Sequence, residues 1–452
     1  MRHPSCVSKT GDGILSAIGS LGRTGLWNAA LFVALGTCVP RTAGSQALDW
    51  NSTQFFQFNL LSANFSASTR TVTVVLSVTN PRSGNAPYDI LDTTKPPFIA
   101  PARLGIDVGW NTAGWNTTEI VNTGSTPVSQ VVTRTWMSTT PPGAGGIGPA
   151  FPLTVNVIAA GKRCDSSGSP CASSANPHLT FYVTAVLPAG AVGSGRVGFE
   201  GHTVVQTGVD ANNAPVYANI PVKSAYRDFA IDSTAVARRQ IVDFNKCRVC
   251  HDGNVHGTQV IPRLSLHGAN RNEEPGLCVI CHNPNDTDAG YRSTGSEESI
   301  DFKRLVHGIH AGGFRRTPLV IIGFRGTVND FSAVRFPKEL RNCTLCHIDS
   351  NGKGTFELPA ASTLGSTINS GSALSIPGFI DVNPTPDLKI SPAAAACSAC
   401  HDEGEIRRHM IGTGGASFGA TQATLAGKER CVNCHGPGRQ EDVRRVHEID
   451  DR

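Results

Sequence analysis

Between Leu48 and Ala235 apolar and polar positions alternate with a period of two. Examples are Thr71-Val72-Thr73-Val74-Val75-Leu76-Ser77-Val78, Leu153-Thr154-Val155-Asn156-Val157 and Leu179-Thr180-Phe181-Tyr182-Val183-Thr184-Ala185-Val186. That period belongs to strands with one buried and one wetter face, and clusters of Gly, Pro, Asn and Ser punctuate them. Several short strands with turn signals and no sustained helical period predict an all-β sandwich or small barrel over residues 48–235. From Val236 the texture changes: Arg238-Arg239 opens a segment dense in His and Cys in which periodicity nearly disappears. Over 236–452 only short helices are expected, one of them a helical turn in Phe302-Lys303-Arg304-Leu305-Val306-His307-Gly308-Ile309-His310. The Ser, Gly, Ala and Pro-rich excursion from Leu358 to Pro392 reads as a long surface loop.

The first 47 residues carry a third pattern. Arg2, Lys9 and Arg23 precede an apolar run from Leu26 to Leu35, and small residues follow near Gly44 to Ala47. This predicts a signal peptide over 1–47 and an exported protein, the run being too short and interrupted for a membrane-spanning helix. Cys38 is a candidate lipidation site, although the Thr37 before it is unusual for one. At 452 residues with 39% apolar positions, the chain has length for about two or three domains with real cores. A net charge of +4 and 16% charged residues give no sign of a polyanion partner, so no nucleic-acid partner is expected.

Cysteine changes the picture most. Of 14 Cys, ten fall in five Cys-x-x-Cys-His units after Lys246: Cys247–Cys250–His251, Cys278–Cys281–His282, Cys343–Cys346–His347, Cys397–Cys400–His401 and Cys431–Cys434–His435. Two thiols three positions apart reach the two vinyl groups of one haem as thioethers, and the next residue brings an imidazole to the iron. Five covalently bound haem c groups are therefore expected. Zinc knuckles would not need His directly after each second Cys, and disulfides across two residues are strained and leave the histidines unexplained. With two ionised propionates each ferric haem adds roughly −1, taking the whole to about −1. Haem faces would then replace side-chain stripes as the core of 236–452. Cys164 and Cys171 flank a turn-forming loop and are expected to form a disulfide, for which a redox-responsive role beside the haems is a second reading.

The sixth iron ligand separates an electron carrier from an enzyme with an open site. Outside the units, the C-terminal half holds His256, His267, His307, His310, His409 and His447, six candidates for five irons. The count favours bis-histidine ligation, with His267, His307, His310, His409 and His447 as distal ligands. His256, in a Gly-rich turn, reads as a surface residue, and His178 and His202 as structural ones. Met410 beside His409 is an alternative thioether ligand. Which distal His serves which haem is left open by the sequence.

Several stretches resemble the OmcA/MtrC family of outer-membrane multihaem cytochromes: Val78-Thr79-Asn80-Pro81 with Pro87-Tyr88-Asp89-Ile90, Arg103-Leu104 running to Gly109-Trp110, and Leu264 to Arg271 leading into Cys281-His282-Asn283-Pro284. Val306-His307-Gly308-Ile309-His310-Ala311-Gly312 and Cys434-His435-Gly436-Pro437-Gly438 complete the likeness, which runs from residue 54 to the end. The resemblance implies alternating β and five-haem domains and distal ligands at the same five histidines. It also implies electron transfer at the cell surface to ferric minerals, metal chelates or flavins, through other cytochromes or an outer-membrane conduit. This chain has one β and one five-haem domain where the family usually has two of each, and Gly253 to Pro262 looks inserted. An electron carrier with no catalytic residues is the leading expectation. A reductase with one open haem and a subunit of a self-assembling conductive filament are the alternatives.

Overall fold

Among the described residues, ten strands build the N-terminal half of the fold. In chain order they are β1 (Gln57–Ser66), β2 (Thr71–Asn80), β3 (Ala86–Pro87), β4 (Arg103–Thr112), β5 (Leu153–Asn156), β6 (Lys162–Arg163), β7 (Phe181–Val186), β8 (Ala191–Val209), β9 (Pro215–Pro221) and β10 (Ala225–Ala230). In this computed structural model the described residues are 47–112, 152–165, 170–171, 174–187, 189, 191–236, 238–256, 259–284, 286–288, 292, 297–350, 352–359, 365–368, 388–420 and 429–449. The expected signal peptide, Cys6 and Cys38 lie outside them, as does most of the 358–392 excursion.

The strands form two antiparallel sheets. One runs β1-β2-β7-β6 with β3 on β2, and the other β10-β8-β4-β5 with β9 on β8. They share one core because alternate residues of each point inward. Val72, Val74, Leu76 and Val78 of β2 meet Leu104, Ile106, Val108 and Trp110 of β4, all at 1% exposure or less. Phe58 and Phe199 stack across the gap at 4.2 Å. The expected antiparallel architecture is present, with two local differences. Val157 opens a one-turn helix, α1 (Val157–Ala160), because the Asn156 side chain accepts from Ala159 N and stops the strand. Leu179 belongs to a 3-10 turn, so β7 starts only at Phe181. A Cys164–Cys171 disulfide covers the other face of β2 at Val75.

β8 connects this half to the rest. It is buried on both faces over most of its 19 residues, so alternation is lost there. Gly201 adopts φ +130, and a Cβ at this position would lie 1.9 Å from Arg103 O; its N–H donates to Asn270 O at 2.7 Å. A Cβ on Gly198 would strike Leu277 at 2.1 Å, so glycine is what lets the next segment lie flat on the strand.

After Ala230 the chain makes short helices and two-stranded hairpins. The helices are α2 (Phe244–Arg248), α3 (Pro275–Cys281), α4 (Phe302–Ala311), α5 (Pro392–Cys397), α6 (Gly404–Gly412), α7 (Val432–His435) and α8 (Val443–Val446). The ends of the 358–392 excursion are clipped together by Thr367–Ile368 pairing with Lys389–Ile390. Its side-chain core is small: Ile390, Ala394, Ala395, Met410 and Ala416. Among the described residues no helix is long and apolar enough to cross a membrane.

Candidate functional site

Each Cys-x-x-Cys-His unit folds as one tight turn. The His N–H donates to the carbonyl of the first Cys at 2.9 Å in the first, second and fourth units, 3.0 Å in the third and 2.8 Å in the fifth. Local sequence starts these turns. Asp243, Glu274 and Asn342 accept from backbone N–H groups two residues ahead, capping the first, second and third units. Pro275 and Pro392 occupy first-turn positions where no N–H is needed. α5 is capped from a distance: the buried carboxylate of Glu429 accepts from Ala393 N at 2.8 Å, Ala394 N at 2.9 Å and Ser391 Oγ at 2.7 Å. Nothing in the sequence pattern signals that long-range cap.

Every unit histidine faces one histidine from outside the units. The ring centres are 6.1 Å apart for His251 and His310, 6.0 Å for His282 and His267, and 6.0 Å for His347 and His307. They are 6.1 Å apart for His401 and His447, and 6.1 Å for His435 and His409. A metal bonded to both imidazoles at about 2 Å each, with about 1 Å more from nitrogen to ring centre, needs roughly 6 Å. The separation thus has room for one ion between the rings and too much for a direct hydrogen bond.

Backbone carbonyls orient the rings. Nδ1 of His251, His282 and His435 faces Pro262 O at 3.1 Å, Ile300 O at 3.0 Å and Glu441 O at 2.8 Å. On the facing side, Nδ1 of His310 and His447 faces Val306 O at 2.8 Å and Val443 O at 2.9 Å, one helical turn back. A carbonyl only accepts, so Nδ1 carries the proton and Nε2 keeps its lone pair for a metal. Burial pushes His267 and His347 down to about 3 and His307 to about 4, and it lowers His282, His310 and His401 as well. These six are held neutral, the form that ligates. Burial also pushes the thiols of Cys278 and Cys397 up to about 12, and the ten unit cysteines are unpaired. Among the described residues no group of three or more His, Cys, Asp or Glu converges on a common point, which a zinc knuckle would require. Two facing imidazoles with two free thiols beside them are the donor set that would hold haem c and not a bare tetrahedral ion. The residues therefore fit haem c.

The units also adjoin one another. His307 and His310, three apart on α4, face the third and first units respectively. Lys246 Nζ donates to Thr344 O at 3.0 Å and His347 O at 2.6 Å, and Asp243 N to Cys346 O at 3.1 Å, binding the first unit to the third. Cys400 Sγ of the fourth unit lies 3.9 Å from His307 O, and Phe302 N at the head of α4 donates to His282 O at 3.0 Å. Glu429, two residues before the fifth unit, caps α5, which ends at Cys397 of the fourth, so these two units lie side by side.

The remaining candidates fall outside these pairs. His256 lies on a hairpin with Nε2 2.9 Å from Asp252 Oδ1. His202 is buried in the sheet between Asn270 Oδ1 at 2.9 Å and Pro101 O at 3.1 Å, and His178 sits in a 3-10 turn. Met410 points into the small core beside α5, away from the role of an alternative ligand. The His267 backbone has φ +53, with Gly268, Ala269 and Glu273 also positive. Asn272 Nδ2 ties this strained segment to Gly201 O, Val222 O and Ala269 O, which is how the β half holds His267 in place.

Residues 239–448 match the family model described as outer membrane cytochrome MtrC/MtrF-like, domains II/IV. A comparison with curated proteins finds no match. Among solved structures the chain is similar to a crystal structure of MtrC from Shewanella baltica OS185, at 16% identity and a TM-score of 0.48. The alignment covers 85% of this chain and 52% of that one, so this chain spans about half the length of that relative.

Proposed function

We propose that this chain, whose residues 239–448 match the MtrC/MtrF-like outer-membrane cytochrome model, is an exported electron carrier of that family with five haem c groups, one on each Cys-x-x-Cys-His unit. The reading takes residues 1–47 as the export signal, 48–235 as a β domain and 236–452 as the haem domain. Bound haem supplies one-electron redox chemistry at iron. The ten unit cysteines would hold it as thioethers, with His251, His282, His347, His401 and His435 proximal and His310, His267, His307, His447 and His409 distal in the same order. The observation that carries this is the repeated 6.0 to 6.1 Å spacing of five histidine pairs that share no sequence separation. With a facing histidine at every unit, no iron held there would be left open to a substrate, which favours a carrier over a reductase.

The adjacency of the first, third, fourth and fifth units supports a continuous electron path, with the second unit joining at α4. Donors and acceptors would be other cytochromes or an outer-membrane conduit on one side and extracellular metal or flavin on the other. Low-temperature electron paramagnetic resonance on the oxidised protein, with a pyridine haemochrome count, tests the reading. Five low-spin haems per chain and no change with cyanide are expected. His447→Ala should turn one iron of the five high-spin, whereas His256→Ala should leave the spectrum as it was. A stoichiometric high-spin signal in the unmutated protein would replace the carrier with a reductase.

A further inference from the structure

Asp107 of β4 and Glu200 of β8 are both fully buried, and neither belongs to any histidine pair. Gly105 stands opposite Glu200 in the ladder and Asp107 opposite Gly198, so the two carboxyls meet on one face of the sheet, within hydrogen-bonding reach of each other. With both ionised there is no donor between them, and Asp107 Oδ2 receives no hydrogen bond. Thr154 donates to the other Asp107 oxygen. Arg271 spans the pair, its Nε 2.5 Å from Glu200 Oε2 and its Nη2 3.8 Å from Asp107 Oδ2, while Arg103 reaches Glu200 Oε1 at 3.5 Å from the solvent side. His202, two residues along β8, is engaged by Asn270 and Pro101.

The cluster lies under the second unit. Leu277 and Ile280 of α3 rest on Gly198, two residues before Glu200, and Arg196 of β8 donates to Gly276 O at 3.0 Å. Arg271, which spans the two carboxyls, is four residues from His267, whose ring faces His282 of the second unit at 6.0 Å. Two carboxylates sharing a dry site cannot both ionise cheaply, and a proton between them would supply the missing hydrogen bond. A unit of positive charge removed nearby in a low-dielectric setting strengthens the hold on that proton.

We propose that the Asp107–Glu200 pair is a proton-binding site coupled to the second haem, taking one proton from water as that haem accepts one electron from a one-electron donor, and releasing it on oxidation. The electron reduces ferric to ferrous iron and the proton forms one carboxyl O–H, so the buried region keeps its total charge. Burial and the neighbouring Asp107 push Glu200 up to about 8, close enough to neutrality for a nearby charge change to load or unload it. The inference rests on reading the second unit as a haem site.

Spectroelectrochemical titration of the haem-loaded protein over a range of pH tests it, together with redox-difference infrared spectra in water and deuterium oxide. One of five components should weaken close to tenfold in electron affinity per pH unit, about 59 mV. Reduction should raise a carboxylic-acid C=O band that shifts in deuterium oxide. Glu200→Gln should flatten that component alone and remove the band. Absence of the band in the unmutated protein overturns the proposal without any variant, and so does a slope that survives both Glu200→Gln and Asp107→Asn. A chain lacking a haem on the second unit fails at the haemochrome count and overturns the carrier reading too. A fully loaded chain whose potentials ignore pH overturns this inference alone.

Discussion

The two halves of the chain are held together by different means. Residues 58–231 bury a continuous cluster of aliphatic and aromatic side chains between two sheets, with Trp110, Phe181 and Phe199 fully enclosed. Among its described residues the C-terminal half has a buried hydrophobic cluster of five, three of them alanines and one a methionine, and its described helices run to ten residues at most. Helices that short do not persist on their own. The β half can fold on transferred apolar area, whereas the other half has paired imidazoles and thiols where a core would be. A prosthetic group at each pair would be structural as much as functional.

Removing the groups should break this comparison most visibly. Replacing the second Cys of all five units with Ala should leave limited proteolysis ending near residue 235, with strand circular dichroism retained. A protease-resistant C-terminal half in that variant would show that its side chains suffice. Next in size, Leu76→Ala should cost about 2–5 kcal/mol of β-half stability in denaturant while leaving the haem spectrum unchanged. Opening the Cys164–Cys171 loop with paired Ala substitutions should cost about 2 kcal/mol, again only in the β half.

The smallest effect concerns the seam between the halves. Glu200 holds its proton to about 8 when folded but releases it near 4.5 when unfolded. The folded state therefore binds more protons across that interval, and stability should fall as pH rises from about 4.5 to about 8. Urea midpoints of the reduced protein should show the decline, and Glu200→Gln should flatten it.

The strand periodicity of Thr71 to Val78 and the helical turn at His307 and His310 were legible because local pattern and tertiary burial agree there. β8 was not, since glycines at 193, 195, 198 and 201 dilute it and burial on both faces erases alternation. The five Cys-x-x-Cys-His units announce their chemistry through covalent spacing alone. The histidine count gives the set of partners but not which faces which unit, because His267 precedes its mate and His310 follows its own, and only tertiary structure joins them. Asp107 and Glu200 were hidden for another reason: each is a lone acid in an apolar strand, and the register that brings them together is non-local.

The order of those pairings bears on how the molecule is made. In an exported chain delivered from its N-terminus, His267 would emerge before His282, His307 before His347 and His409 before His435, so the second, third and fifth units would find the histidines that face them already across the membrane. The first and fourth must wait, His251 for His310 and His401 for His447. α4 would then act as a latch: its arrival would complete the first unit and ready the third, so the earliest site to emerge would not be the earliest to close.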